Sequence, residues 1–395
     1  MMKDCSFPRK KYVADHIEVL PKSGIRAFFD LVSTMKNVIS LGVGEPDFST
    51  PWTMREAAIY SLERGRTSYT SNLGTPELRQ AICQYVSNHY QVSYNWQNEC
   101  LVTIGVSEAL DIVMRAIINP GDEVIYTEPC FVSYPAEIAM AHGIPVAVPT
   151  YEKDAFALDP EKLRSCITPK SKALLLNFPC NPTGAVLPAK EMEEIARIAI
   201  ENDLIVITDE IYSELLYEGE HRSIAALPGM RERTVFLHGF SKAFAMTGWR
   251  VGYACGPAEI IDAMMKIHQY SIMCASVMSQ EAALEALKNG EKEMENMRES
   301  YRERRNLIVD GFNRMGLPCL MPKGAFYVFP NITSTGMTSE EFARKLLEKE
   351  KVAVVPGNAF GSSGEGFIRC SYATSIKQIQ VALERIGHFL KSEGI

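Results

Sequence analysis

The chain has 395 residues, of which 46% are hydrophobic and 23% charged, and its formal net charge is -7. These fractions are close to those of folded globular proteins, so they exclude a disordered or fibrous chain. Basic residues are scattered, and no run reaches the roughly 18 apolar residues that cross a bilayer, so we expect no nucleic-acid and no membrane partner. The length favours a large domain with a second, smaller one.

The first residues and the cysteines bear on the cellular compartment. Residues 1–10 contain no apolar signal-peptide core, and we therefore expect a cytoplasmic protein. Ten cysteines are spread between Cys5 and Cys370 without a C-x-x-C pair. That spacing favours reduced, mostly buried thiols over a disulfide framework or a zinc site, and it predicts no metal ion.

Strand-like runs between about residue 100 and residue 255 alternate with helical stretches, two of which are Glu108–Ile118 and Glu191–Ile200. Most of these runs are apolar throughout, as strands buried on both faces are. The alternation predicts an α/β fold with a mainly parallel seven-stranded sheet between helices. The predicted strands are Leu101–Ile104, Glu123–Thr127, Pro145–Val148, Ala173–Asn177, Leu204–Thr208, Thr234–His238 and Val251–Ala254.

The pattern changes after about residue 290. A charged helix is predicted at Glu291–Arg314, a strand-like run at Gly324–Phe329 and another helix at Ser339–Glu350, which together indicate a smaller α+β domain. We expect three parts in all: an N-terminal arm with a segment that packs on the small domain (1–45), a large domain (46–290) and the small domain (291–395).

Polar residues follow three of the predicted strands, at the carboxyl ends where ligands of such sheets bind. Asp209 follows a strand that should be buried, and a buried carboxylate is costly unless a cation or a hydrogen-bond donor meets it. Taken alone, Asp209 also fits the N-cap of a helix that begins at Ile211. Tyr212 would then be a core aromatic residue with its hydroxyl at the surface. The other polar groups are Asn177 with Asn181–Gly184, and Gly105–Ser107.

Lys242 lies in Gly239-Phe240-Ser241-Lys242, directly after the strand predicted at Thr234–His238. An isolated lysine in a loop is usually solvated. Near buried surface and other cations, however, a lysine loses its proton more readily than its ordinary pKa of about 10.4 implies. The neutral amine is then a nucleophile that can form a Schiff base with an aldehyde.

Four short motifs combine in this chain: Asn181-Pro182-Thr183-Gly184, Asp209-x-x-Tyr212, Ser241-Lys242 and Gly248-Trp249-Arg250. In order and approximate spacing they resemble class I/II aminotransferases of fold type I, enzymes that use pyridoxal 5'-phosphate (PLP). The resemblance runs from Ser40–Phe48 to Arg369–Ala373. Within the family, the chain resembles the bacterial and archaeal subgroup that contains aspartate, aromatic and N-acetyl-diaminopimelate aminotransferases.

The resemblance implies roles for the residues around the cofactor ring. Lys242 is implied as the Schiff-base lysine and as the base that moves a proton between the substrate Cα and cofactor C4'. Asp209 is implied to pair with the pyridine nitrogen and to keep it protonated. Tyr212 and Asn181 are implied to donate hydrogen bonds to the 3'-oxygen, and Phe131 to stack on the ring.

The phosphate of PLP is implied to bind at the start of a helix, where backbone N–H groups point outwards. Arg250 adds a fixed positive charge and Ser241 a hydroxyl. The residues implied at the helix start are Gly105, Val106 and Ser107.

Two positions concern the remaining contacts to the phosphate. Gly239 departs from the family pattern, because many relatives have a phosphate-binding Ser or Thr three residues before the lysine. Tyr69 matches a tyrosine that relatives donate to the phosphate of the neighbouring subunit. A monomer would then have an incomplete site, and a homodimer is implied.

Substrate binding is implied for three residues. Arg369, in an R-x-S-[FY]-A setting, clamps the substrate α-carboxylate in a bidentate grip. Asn181 is assigned to the substrate as well as to the cofactor. Gly44 lets the backbone approach the same carboxylate because it has no side chain.

The implied reaction is ping-pong transfer of an amino group between an L-amino acid and a 2-oxo acid, with 2-oxoglutarate and glutamate as the expected pair. A PLP-dependent β-lyase that cleaves C–S bonds is an alternative, since such enzymes resemble aminotransferases in fold, lysine, aspartate and arginine. A regulator that uses this domain as an effector sensor is a third hypothesis, disfavoured by the acidic charge and the short segment before Leu41.

Selection of the amino acid is expected to involve Lys22–Arg26, a loop of the partner and His268–Ser271. Different stretches resemble the N-acetyl-diaminopimelate enzymes and the archaeal aromatic enzymes. The aspartate, aromatic and N-acetyl-diaminopimelate types therefore all stay open.

Overall fold

The computed structural model describes residues 12–18, 20 and 35–395. Lys22–Arg26, which the sequence connects with substrate selection, lies outside the described residues, as does most of the segment expected to form an N-terminal arm. Within the part of the chain that is described, no helix is long and apolar enough to cross a membrane.

The strands fall into one large sheet and two small ones. In chain order they are β1 (Ile39–Ser40), β2 (Cys100–Thr103), β3 (Glu123–Glu128), β4 (Ile144–Pro149), β5 (Ser171–Leu176), β6 (Ile205–Asp209), β7 (Thr234–Gly239), β8 (Gly252–Cys255), β9 (Tyr327–Val328), β10 (Val352–Ala353), β11 (Val355–Pro356) and β12 (Ile368–Ser371).

The α-helices cover both faces of the large sheet and most of the C-terminal part. In chain order the described ones are α1 (Asp15–Glu18), α2 (Trp52–Glu63), α3 (Pro76–Tyr90), α4 (Gly105–Ile117), α5 (Ser133–Met140), α6 (Pro160–Cys166), α7 (Ala189–Glu201), α8 (Phe240–Ala243), α9 (Ala258–Ser271), α10 (Val277–Asn289), α11 (Glu291–Arg314), α12 (Ser339–Glu350) and α13 (Ile376–Ser392).

The large sheet has seven strands in the order β2-β8-β7-β6-β5-β3-β4. All neighbours are parallel except β8, which runs antiparallel to both β2 and β7. The predicted mainly parallel, seven-stranded sheet is therefore confirmed, and each predicted strand overlaps an observed one. The strand-like run expected at Gly324–Phe329 is shorter, because only Tyr327 and Val328 form a strand, which pairs with β12, while Gly324 forms an isolated bridge with Leu216.

Alternating side chains of the central strands enter cores on opposite faces of the sheet, as the two-residue period of a strand requires. On β7, Val235 and Leu237 pack with α4, α5 and α9, whereas Phe236 between them packs with α3 and α10. Both faces of the sheet are thus buried, which explains why these strands are apolar throughout.

The C-terminal part has its own apolar core, formed by α11, α12 and α13 around the short strands. On α11, Met294, Met297, Tyr301, Ile308 and Phe312 are buried at helical spacing. The segment before the large sheet contributes β1, which pairs in parallel with β10. Residues 39–40 therefore connect the first part of the chain to the C-terminal core.

Side-chain caps fix the start of two C-terminal helices. The Thr338 hydroxyl accepts a hydrogen bond from the Glu341 backbone N–H (3.2 Å), and the Ser375 hydroxyl accepts one from Gln378 (3.3 Å). Both sequences have the S/T-x-x-E/Q form that satisfies free N–H groups at a helix start. The helix predicted at Ser339–Glu350 is observed with those bounds.

The direction of the strands places the candidate site. Strands β3, β5, β6 and β7 are parallel, and β2 runs the same way because β8 is antiparallel to both β2 and β7. Their carboxyl ends therefore share one edge of the sheet. Four predicted polar or site residues lie at the carboxyl ends of four different strands: Asp209 ends β6, and Gly105, Asn177 and Lys242 follow β2, β5 and β7.

Candidate active site

A cavity of about 420 Å³ opens at this edge, between the sheet and the C-terminal core. Among the described residues that line it are all the predicted site residues except Gly105 and Tyr69. These are Gly44, Val106, Ser107, Phe131, Asn181, Asp209, Tyr212, Ser241, Lys242, Arg250 and Arg369.

Lys242 lies in the short helix α8, and its ammonium group donates a hydrogen bond to the Gly44 carbonyl oxygen (Nζ to O 2.6 Å). Burial lowers the pKa of Lys242 to about 8, although the nearby Glu45 carboxylate acts in the opposite direction. The positive charges of Arg369 and Arg250 contribute to this lowering of the pKa. A lysine in this environment can give up its proton near neutral pH, which a solvated lysine cannot.

Asp209 is the last residue of β6, and its side chain is 5% exposed. Its carboxylate accepts hydrogen bonds from the Tyr134 hydroxyl (2.8 Å) and from the Ile211 backbone N–H (3.2 Å). Burial raises the pKa of this carboxyl to about 6 against the effect of these two donors. No described cation lies within ion-pair distance of Asp209, so a positively charged group in the cavity would stabilise the buried carboxylate.

The interpretation of Asp209 as a helix N-cap is wrong. Residues 211–214 form turns, and no helix begins at Ile211. Tyr212 is correspondingly not a core residue with a surface hydroxyl, because it is 4% exposed and its hydroxyl lies 2.8 Å from the hydroxyl of Tyr327 inside the cavity. Asp209 and Tyr212, on either side of the start of this turn, both line the same cavity.

Arg369, on β12, is the buried cation at the C-terminal side of the cavity. Its guanidinium donates to Asn181 Oδ1 (2.9 Å) and to the Gly42 carbonyl oxygen (2.6 Å), and it lies 4.5 Å from the centre of the Tyr327 ring. Its Nε–H is buried without a hydrogen-bond partner among the described residues. Arg369 lines the cavity and brings a positive charge to its wall, although the residue is only 3% exposed.

The amino end of α4 lies at the opposite side of the cavity, where Val106 and Ser107 face it. Gly105 has a backbone φ of +71°, and a side chain there would meet Arg250 Nη2 at 2.7 Å. Only glycine leaves room for the guanidinium against the helix start. Ser241 completes this group, which combines a helix amino end, a fixed positive charge and two hydroxyls, the donors that suit a phosphate.

Gly239, where the family resemblance predicts a hydroxyl residue, leaves little room for a side chain. A Cβ at this position would lie 3.0 Å from Gly252 Cα and 3.2 Å from the Val251 carbonyl oxygen on the neighbouring strand β8. A side chain at this position would require β7 and β8 to shift apart by a few tenths of an ångström.

Four residues of the site were missed by the sequence analysis. Tyr134 donates to Asp209, Tyr327 contacts both Tyr212 and Arg369, and Glu45 accepts a hydrogen bond from Thr247 beside Lys242. The fourth, Glu108, accepts hydrogen bonds from Ile104 and His268 behind the helix start. Tyr134 lies three residues after Phe131, close enough in sequence to have been considered with it, and the two rings are 5.7 Å apart.

Tyr69 does not line the cavity of its own chain. Its side chain is 82% exposed, and Trp52 and Tyr60 of α2 are exposed as well. If Tyr69 contacts a site, it is therefore the site of another molecule.

Comparisons with known proteins agree with this fold. Residues 36–386 match the family model described as aminotransferase class I and II. The chain is 57% identical to the protein YugH of Bacillus subtilis (strain 168), over 96% of this chain and 98% of that one. It is 45% identical to an aspartate aminotransferase of Pyrococcus abyssi (strain GE5 / Orsay), over 96% and 99%.

Solved structures show the same likeness in three dimensions. A crystal structure of an aromatic aminotransferase from Pyrococcus horikoshii OT3 superposes with a TM-score of 0.90 at 45% identity, covering 93% of this chain and 99% of that one. The chain belongs to the class I and II aminotransferase family. It is an aminotransferase, an enzyme that acts on amino acids and 2-oxo acids.

Proposed function

We propose that this aminotransferase uses PLP and that Lys242 is the residue that carries the proton in both half-reactions. One observation supports this most: a single cavity contains Lys242 with its lowered pKa, the buried carboxylate of Asp209, and the two cations Arg250 and Arg369. PLP has a ring nitrogen, an aldehyde and a phosphate, and each of these groups has a chemically matched partner in the cavity.

PLP, when bound, withdraws electrons from the substrate Cα and so makes the proton on that carbon easier to remove. Lys242 Nζ takes that proton and returns it at the neighbouring carbon of the cofactor. The pKa of Lys242, about 8, suits both steps, because a group that acts first as a base and then as an acid works best when its pKa lies near the working pH.

Asp209 holds a proton on the pyridine nitrogen. Its carboxylate lies in a buried environment that makes the ionised form costly, and a protonated ring nitrogen would supply the missing positive charge. Tyr134 and the Ile211 N–H fix the orientation of the carboxylate. Tyr212 and Asn181 are proposed to contact the 3'-oxygen, and Phe131 to stack on the ring.

Arg250, Ser241 and the start of α4 at Gly105, Val106 and Ser107 are proposed to hold the phosphate. At the other side of the cavity, Arg369 is proposed to hold the substrate α-carboxylate. Its buried guanidinium lines the cavity and forms no ion pair with a carboxylate of the described residues, which supports this assignment because a buried cation is stabilised by an anion. Gly44 and Asn181 complete the substrate contact.

We propose an L-amino acid of the aspartate, aromatic or N-acetyl-diaminopimelate type as donor and 2-oxoglutarate as acceptor. Relatives of this chain carry all three names. A panel of amino donors, each mixed with the enzyme and followed by formation of the aminated cofactor, ranks the three types. The relatives do not favour a C–S β-lyase or an effector-binding regulator, since those named for an activity are aminotransferases.

The active form is proposed to be a homodimer in which Tyr69 of one subunit reaches the phosphate site of the other. The support is its 82% exposure together with the exposed Trp52 and Tyr60, because large exposed aromatic groups are typical of interfaces.

Borohydride trapping tests the cofactor assignment. The PLP-loaded enzyme is reduced with sodium borohydride, digested and mapped by mass spectrometry. The expected result is a pyridoxyl label on the peptide that contains Lys242. A label on another lysine, or none on an active enzyme, would overturn the proposal.

A further inference from the structure

Three cysteines that are far apart in sequence meet at the end of the large sheet that lies away from the active site. Cys83 lies on α3, Cys100 begins β2 and Cys255 ends β8. Their sulfur atoms all lie within 4.8 Å of one another. Cys100 and Cys255 face each other across the antiparallel pair, and the three side chains are 8%, 0% and 0% exposed.

A buried positive charge accompanies this thiol cluster. Arg79 lies one helical turn before Cys83 on α3 and is 6% exposed. Its guanidinium donates only to backbone carbonyl oxygens, those of Gly74 (3.2 Å), Trp96 (2.6 Å) and Gln97 (3.3 Å). Among the described residues no carboxylate forms an ion pair with it. A buried cation without an anion is costly, so this place favours a negatively charged group nearby.

We propose that Cys83, Cys100 and Cys255 form a binding site for a soft, thiophilic metal ion with three-coordinate geometry, such as Cu(I). Soft thiolate ligands select such ions, and the mutual distances allow all three sulfur atoms to reach one central ion after a small contraction. In the described part of the chain no fourth His, Cys, Asp or Glu joins the cluster. A closed zinc site has four protein ligands, which favours copper over zinc here.

The charges balance in this site. The ion enters as Cu(I) and keeps that oxidation state. Two thiols release their protons to solvent and bind as thiolates, while the third binds as a neutral thiol. The resulting charge of -1 is matched by Arg79, which supplies the anion that the buried guanidinium lacks.

The site is separate from the reaction. Strand β2 carries Cys100 at its start and reaches Gly105 only after its far end, about 16 Å along the chain. A bound ion would tie α3, β2 and β8 together at the edge of the sheet. The proposal therefore does not rest on the cofactor or on the substrate.

Competition for Cu(I) tests the site in the full-length holoenzyme. The reduced enzyme is mixed anaerobically with Cu(I) and bathocuproine disulfonate, a chelator whose Cu(I) complex absorbs visible light. We expect the native chain to withhold about one copper ion per chain from the chelator, and Cys83→Ala to lose that ion. The matched control is Cys319→Ala, at a thiol that is 7% exposed in the C-terminal core.

Each outcome decides the proposal. A native chain that holds no copper, a Cys83→Ala variant that holds as much as the native chain, or a Cys319→Ala variant that loses it would each overturn the site. Since Cys83→Ala can also fail to fold, X-ray absorption at the copper edge is measured on the native chain alone. Three sulfur neighbours support the site, and fewer sulfurs or nitrogen and oxygen neighbours contradict it.

Discussion

The carboxylate of Glu108 on α4 lies 2.6 Å from Nδ1 of His268 on α9, behind the helix start that faces the cavity. The other oxygen of Glu108 accepts a hydrogen bond from the backbone N–H of Ile104, the residue before the helix. His268 is fully buried. Glu108 thus connects the turn between β2 and α4 to a second helix, and it fixes the N–H groups that are proposed to hold the phosphate.

Replacing Glu108 by Gln should weaken cofactor binding more than it weakens folding. The amide cannot accept both hydrogen bonds as well as the carboxylate, so the turn at Gly105 loosens. We expect the dissociation constant for PLP to rise about 10-fold, as the loss of one charge-assisted hydrogen bond implies. Equilibrium dialysis measures it, with Glu259→Gln at an exposed site on α9 as control. An unchanged affinity in Glu108→Gln would contradict the role.

Replacing Lys242 by Ala should remove the proton carrier and the covalent attachment of the cofactor. Turnover should fall by about three orders of magnitude or more. Steady-state kinetics measure the loss, and added small primary amines should restore part of the activity because they can carry the proton. Lys190→Ala, at an exposed lysine in α7, is the control. Near-normal turnover in Lys242→Ala would contradict the assignment of Lys242 as the proton carrier.

Replacing Asp209 by Asn should stabilise the cofactor-free protein at high pH only. Burial raises the pKa of Asp209 from 3.8 to about 6, so the folded state holds a proton that the unfolded state releases. Stability is therefore lost as pH rises through about 4 to 6, and the loss amounts to about 3 kcal/mol above that range. Asn carries no such cost.

Urea unfolding of the two cofactor-free proteins at pH 4 and pH 8 measures this difference. The variant should gain stability at pH 8 and almost none at pH 4. Asp262→Asn, at an exposed carboxyl on α9, should show no such pH-dependent gain. An equal difference at both pH values would show that ionisation of Asp209 is not its cause.

Replacing Arg369 by Lys should impair both half-reactions to the same degree. The amino acid and the 2-oxo acid share the α-carboxylate, and lysine keeps the charge but loses the paired donors of the guanidinium. We expect kcat/KM to fall about 10- to 100-fold for each substrate. Arg305→Lys, at a buried arginine outside the cavity, is the matched control. A loss for only one of the two substrates argues against a shared carboxylate contact.

Mixing two inactive variants should restore activity if the site is shared between subunits. Lys242→Ala and Tyr69→Ala each spoil every site in their own homodimers, but a mixed dimer has one site with both native residues. After unfolding and refolding together in equal amounts, activity should reach about a quarter of the native value. Refolding each variant alone is the control. No recovery in the mixture, with dimers present, would rule out the exchange of Tyr69.

Much of the fold could be predicted because local pattern and burial agree in it. The seven strands were predicted since most of them are apolar throughout and alternate with helical stretches, and the charged helix Glu291–Arg314 was predicted with the observed bounds. The family and the aminotransferase activity predicted from the motifs are confirmed. The short strands of the C-terminal part were mostly missed, because two-residue strands have no periodicity to detect.

By itself, the sequence determined the succession of strands and helices along the chain and the identity of the residues at the strand ends, because these depend on neighbours in the chain. Only the tertiary structure decided which residues meet. The order of the strands in the sheet and the packing of the helices bring three groups together. These are Asp209 with Tyr134, Glu108 with His268, and the thiols of Cys83, Cys100 and Cys255. Such contacts join residues more than 15 positions apart, where no local spacing predicts a distance, so a hydrogen bond or a metal site between them appears only when the sheet is assembled.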